Sequence, residues 1–108
     1  MVGRVGDDAF GVDLLANLNR YGVGTDSILT VEGEASGIAL IFSDRQRENY
    51  VLPVYGANAT CGDAEVDRAR RLISSTSVLL MQQEISTEVT GAIAKFAHEA
   101  GATVIHDP

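Results

Sequence analysis

The chain has 108 residues, of which 45% are hydrophobic and 21% charged, and its formal net charge is -7. That length allows one domain, that apolar content excludes a disordered chain, and the acidic balance repels nucleic-acid phosphates and anionic membrane surfaces. No apolar run approaches the roughly 18 residues that span a bilayer, and the start lacks the basic and apolar regions of a signal peptide. A cytoplasmic protein is expected, with neither nucleic acid nor membrane among its partners.

Val2 to Val5 is a short apolar run closed by Gly6. Asp7 and Asp8 then stand before Phe10, Leu14, Leu15, Leu18 and Tyr21 at helical spacing, which predicts strand, capped turn and helix. Gly22 and Gly24 end that helix, and Ile28 to Val31 is a brief strand candidate.

Two strand-like stretches follow, Gly37 to Phe42 and Tyr50 to Tyr55, joined by the wholly polar Ser43 to Asn49. This predicts an antiparallel hairpin over 36–55 with an exposed tip. Alternation sends Ile38, Leu40 and Phe42 to one side and Ala39 and Ile41 to the other, with Leu52 and Val54 opposing Val51 and Tyr55 on the return strand. Both faces are apolar, so something else must cover the second face.

Beyond the hairpin, a helix is predicted from Asp63 to Ile73, with Ala69, Leu72 and Ile73 inward and Arg68, Arg70 and Arg71 mostly outward. Val78 to Met81 reads as a buried strand. Thr87 to Ala100 reads as a helix with Val89, Ile93, Phe96 and Ala97 as its core stripe, stopped by Gly101 before the strand Thr103 to His106. The alternation of strand and helix predicts an α/β sandwich with parallel strands and a hairpin standing off it, all in one domain without a linker.

Ligands of open parallel sheets sit beyond the carboxyl ends of the strands, which singles out Gln82, Gln83 and Glu84 after one strand and His106 and Asp107 after another. By itself, Glu84 also suits a helix cap. His106 and Asp107 also suit an ordinary strand-end surface. Gly3, Gly6 and Gly11 miss the dinucleotide spacing, no Walker sequence occurs, and Gly56-Ala57-Asn58 reads as the turn leaving the hairpin. Cys61 stands alone, far in sequence from His98 and His106, so no disulfide or metal cluster can be written and the thiol reads as a bystander.

Taken together, several segments resemble the middle of a ribokinase-like, phosphofructokinase-B-type carbohydrate kinase. They are Val5-Gly6-Asp7-Asp8-Ala9-Phe10-Gly11, Ser36-Gly37-Ile38-Ala39-Leu40-Ile41-Phe42, Glu48-Asn49, Gly56-Ala57-Asn58-Ala59, Leu79-Leu80-Met81-Gln82-Gln83-Glu84 and the closing Asp107-Pro108. They come in the family's order over essentially the whole chain, and look nearer to ribokinase than to fructokinase or adenosine kinase.

The resemblance implies an α/β fold: a fragment of a three-layer sandwich with a mostly parallel sheet, flanking helices and a β-hairpin lid at 36–55 that also serves as a dimer contact. It implies that Ala39 and Val51 point toward bound sugar and that Glu84 contacts a sugar hydroxyl. Mg2+ and ATP are implied for the full-length enzyme, with a pentose, D-ribose above all, as substrate. The family's upstream Asn-x-Asp and Gly-Gly-Lys-Gly-x-Asn motifs and its downstream Gly-Ala-Gly-Asp and Asn-x-x-Glu are absent from this chain. The 108 residues alone are therefore expected to lack kinase activity and to hold no cofactor. The alternatives are a non-catalytic α/β interaction or small-ligand module, and a kinase for another sugar or nucleoside.

Overall fold

A computed structural model describes residues 1–75 and 77–107; the closing Pro108 of the motif string lies outside the described residues. Strand β1, Val2–Gly6, runs into helix α1, Ala9–Arg20, whose N-cap is Asp8. The chain leaves α1 through Gly22 at a φ of 73° and forms β2, Ser27–Val31, which pairs in parallel with β1 from Val2↔Ser27 to Gly6↔Val31.

Strands β3, Ile38–Ser43, and β4, Asn49–Val54, form the antiparallel hairpin. Their polar connector closes on Asp44, whose carboxylate accepts the backbone N–H groups of Gln46 at 2.8 Å and Glu48 at 2.9 Å. Such local side-chain capping explains why a polar run can turn here without help from the body. A 3-10 turn, Gly56–Thr60, leads to helix α2, Asp63–Leu72. Strand β5, Val78–Met81, helix α3, Thr87–Glu99, and strand β6, Thr103–His106, complete the chain, with β5 and β6 parallel in the register Val78↔Thr103 to Met81↔His106.

The core lies where α2 and α3 pack together over β5: Val66, Ala69, Met81, Val89 and Ile93 are buried, flanked by Ile73, Leu79, Ile85, Ala94 and Val104. The α3 stripe behaves as its periodicity predicts at Val89, Ile93 and Ala97.

Several apolar positions expected inside are not. Val78 and Leu80, on the strand read as buried, are 66% and 73% exposed, and Phe10, Leu14, Tyr21 and Leu72 are exposed too. Their pattern records a second face of each element that nothing among the described residues covers. The strands also form three separate two-stranded sheets, β1-β2, β3-β4 and β5-β6, so that β1 and β5 each keep one edge free of a described strand. Among the described residues, no helix is long and apolar enough to cross a membrane.

Candidate functional site

A pocket of about 180 Å³ opens beneath the base of the hairpin, lined by Gly37, Ile38, Ala39, Val54, Tyr55, Asn58 and Glu84. Three segments distant in sequence build it. Gly37 to Ala39 is the first leg of the hairpin, Val54 and Tyr55 the second, and Glu84 follows the carboxyl end of β5. That is where the parallel-sheet rule directs a ligand.

Glu84 is exposed, and its backbone N–H is hydrogen-bonded to the side-chain oxygen of Gln82, which fixes the turn after β5. The capping role open to Glu84 from sequence belongs instead to Ser86, the N-cap of α3, whose hydroxyl accepts the Glu88 N–H at 3.2 Å. Among the described residues, no hydrogen bond or ion pair engages the Glu84 carboxylate.

Ala39 shares the pocket with Glu84. Val51 pairs with Ile41, two residues nearer the tip than the Ala39↔Pro53 pair, and is not among the lining residues. Directly paired residues of an antiparallel ladder share a face, so Val51 lies on the Ala39 face of the hairpin, beyond the pocket. His106 and Asp107 are exposed and line neither this pocket nor the larger cleft.

Sequence reasoning read Asn58 as a turn residue and left Tyr55 without a role beside the pocket; the structure puts both in its wall. The signal available was their place in Tyr55-Gly56-Ala57-Asn58, directly after the hairpin. What the sequence could not show is that the 3-10 turn folds back under the first leg.

A second cleft, of about 420 Å³, separates β1 from β5 and is lined largely by apolar residues of α2, β5 and α3. Its charged groups are already matched. Arg4 Nε and a terminal nitrogen donate to the two carboxylate oxygens of Glu65 at 2.9 and 3.0 Å, the other terminal nitrogen to Thr60 Oγ1 at 3.1 Å, and the Gly62 N–H to Glu65 at 2.8 Å. Burial raises the Glu65 carboxyl, but the Arg4 hydrogen bonds, the Gly62 N–H and the Arg4 charge outweigh it and hold the group below its usual range. The same pairing raises the Arg4 guanidinium. Cys61, beside this pair, is buried, and its thiol is pushed up by that burial and by the Glu65 charge, so it is a poor nucleophile. The charged pair in the larger cleft is thus internally matched, whereas the smaller pocket is lined by Glu84 without a described ion-pair partner.

Among the described residues, no three His, Cys, Asp or Glu side chains converge as a metal site requires.

The pattern of the pfkB family carbohydrate kinases matches residues 1–108. The chain belongs to that family. Over its whole length this pfkB chain is 37% identical to a ribokinase of Schizosaccharomyces pombe, of which it spans 34%. The solved ribokinase of Giardia lamblia superposes with a TM-score of 0.82 at 27% identity, covering 99% of this chain and 33% of that one. Arabidopsis thaliana ribokinase, solved with ribose and ATP, gives a TM-score of 0.73 at 29% identity over 99% of this chain and 35% of that one. The pfkB chain thus spans about a third of the length of the relatives it matches, and its α/β fold with an antiparallel hairpin is the ribokinase-like fold expected from the sequence.

Proposed function

We propose that these 108 residues are the lid-bearing part of an ATP-dependent pentose kinase that converts D-ribose to ribose 5-phosphate in the cytoplasm. The observation that carries this reading is the meeting of Glu84 with Ala39 in one pocket under the hairpin, in a chain matched along its whole length by a carbohydrate kinase family. A carboxylate accepts hydrogen bonds from sugar hydroxyls more strongly than a neutral acceptor does, and a small apolar residue leaves room for a sugar carbon face. Ala39, and Val51 on the same face, form the apolar side of the lid, and Glu84 holds a hydroxyl.

In the reaction the primary hydroxyl oxygen of ribose bonds to the γ-phosphorus of ATP as the bond to the β-phosphate bridging oxygen breaks. ADP leaves, and the hydroxyl proton passes to a base outside these residues. When bound, magnesium would neutralise phosphate charge. Residues 36–55 close over the sugar and shield it from water. Their outer face, with Leu40, Phe42, Tyr50 and Leu52, meets the same face of a second copy in a homodimer. Alone, the 108 residues provide a lid and one sugar contact, and do not transfer phosphate.

The test is the Glu84→Gln variant of the full-length parent, assayed with ATP and magnesium over ribose, 2-deoxyribose, fructose and a nucleoside. Gln keeps the shape and removes the charge, so the ribose KM should rise about tenfold or more while the fold is retained. An unchanged ribose KM removes Glu84 from the sugar site, and preference for another acceptor in the unaltered parent reassigns the substrate.

A further inference from the structure

The carboxylate of Asp8 does more than cap a helix. One oxygen accepts the Gly11 N–H at 2.8 Å, which is the N-cap bond of α1, and also the Ser36 hydroxyl at 2.7 Å. The other accepts the Ser36 backbone N–H at 2.9 Å. Ser36 is only 2% exposed, and its hydroxyl oxygen accepts the Gly6 N–H at 3.0 Å from the end of β1. A side chain at Gly6 would collide with the backbone of Glu34 to Ser36, so the segment entering the hairpin lies directly on the β1–α1 turn. Asp7 adds to this join by accepting the Gly33 N–H at 2.9 Å.

What Ser36 leads into matters. Gly37, Ile38 and Ala39 follow it immediately and form one wall of the pocket that contains Glu84. The second leg is tied to the same place, because the Ala57 N–H donates to the Ala35 carbonyl at 2.8 Å. Both legs of the hairpin therefore reach the body at residues 35 and 36, and the side chain that holds residue 36 is Asp8.

We propose that Asp8 is a positioning residue for the pocket: its carboxylate, shared between the α1 N-terminus and Ser36, sets where the Gly37–Ala39 wall stands relative to Glu84. Simple capping needs one acceptor, and Asn or Ser supplies it as well as Asp does. Only a carboxylate, with acceptors on both oxygens, can take the Gly11 N–H, the Ser36 N–H and the Ser36 hydroxyl together. Substituting Asn keeps the cap but turns an amide NH2 toward the Ser36 N–H, donor against donor. Cap and clamp are thereby separable.

The functional consequence rests on the sugar-kinase reading; the clamp itself does not. Asp8→Asn and Ser36→Ala are made in the full-length parent, with steady-state kinetics and amide exchange measured on each. Asp8→Asn should raise the sugar KM roughly five- to thirtyfold, with kcat at saturating sugar and the KM for ATP little changed. Amides of Ile38 and Ala39 should exchange faster, and those within α1 should not. Unchanged exchange at Ile38 and Ala39 in Asp8→Asn overturns the proposal. So does a lowered melting temperature without a change in sugar KM, which is the signature of a cap alone. If the unaltered parent phosphorylates no sugar, the kinase reading falls, and exchange at Ile38 and Ala39 still decides whether Asp8 holds the wall.

Discussion

The Arg4–Glu65 pair shows how one pairing decides which face of a helix can be buried. Glu65 is 1% exposed and would be costly to desolvate as an unpaired anion. Its two oxygens meet Arg4 from β1, and it also accepts the N–H of Gly62 at the start of its own helix. Removing one partner strands the other, so Glu65→Ala should cost about 3 kcal/mol in a urea melt, where an exposed pair such as Arg70–Asp67 would cost under about 1 kcal/mol. A loss at that lower level would mean that water already screens Arg4. Acid should act in the same direction. The Asp8 carboxyl is held below its usual range by the Ser36 hydroxyl, then by the Ser36 and Gly11 N–H groups, and Glu65 is also depressed. Groups with lowered folded pKa values bind fewer protons folded than unfolded, so their contribution is complete above about pH 5 and lost as pH falls through the folded values. Melts from pH 7 to pH 3 should show stability falling only below about pH 5, with Asp8→Asn flattening part of that fall.

The elements were legible to different depths, for physical reasons. Strand, helix and hairpin types followed from local periodicity, and the hairpin could be placed because two apolar runs flank one polar connector. Burial was less legible: the stripe through Phe10, Leu14 and Tyr21 has the right spacing for a core face, yet stands in solvent because spacing cannot say what lies opposite. The pocket was half legible. Glu84 stood out at a strand end and Ala39 through the family resemblance, but the place of Asn58 in the wall and the link from Asp8 to Ser36, 28 residues apart, depend on long-range contacts that no window of sequence reveals. Gly56 belongs to the same class. It sits at a φ of +49°, and a β-carbon there would collide with the Ala35 carbonyl oxygen that the hairpin base needs. Gly56→Ala should therefore destabilise by about 2 kcal/mol, whereas Gly3→Ala, with open space around it, should change stability by under about 0.5 kcal/mol. Equal effects at the two positions in urea melts would show that the base of the hairpin yields freely.

At the scale of the whole molecule, the radius of gyration is 15.2 Å, larger than the roughly 13 Å of a compact domain of about 100 residues. The excess reflects a hairpin exposed along both strands. Exposed apolar residues on α1, β3, β4 and β5, together with strand edges left open on β1 and β5, predict that the isolated chain self-associates. Light scattering across a dilution series should show mass rising with concentration, and a concentration-independent monomer would mean that these surfaces are tolerated in water. The hairpin's reach has a further use. Six paired residues per strand extend about 20 Å from the clamp at Ser36, so a rotation of about 5° there carries the tip through nearly 2 Å. A spin label on the Asp44–Glu48 turn, paired with one on α3, would magnify angular play at the base into a distance distribution that can be read directly.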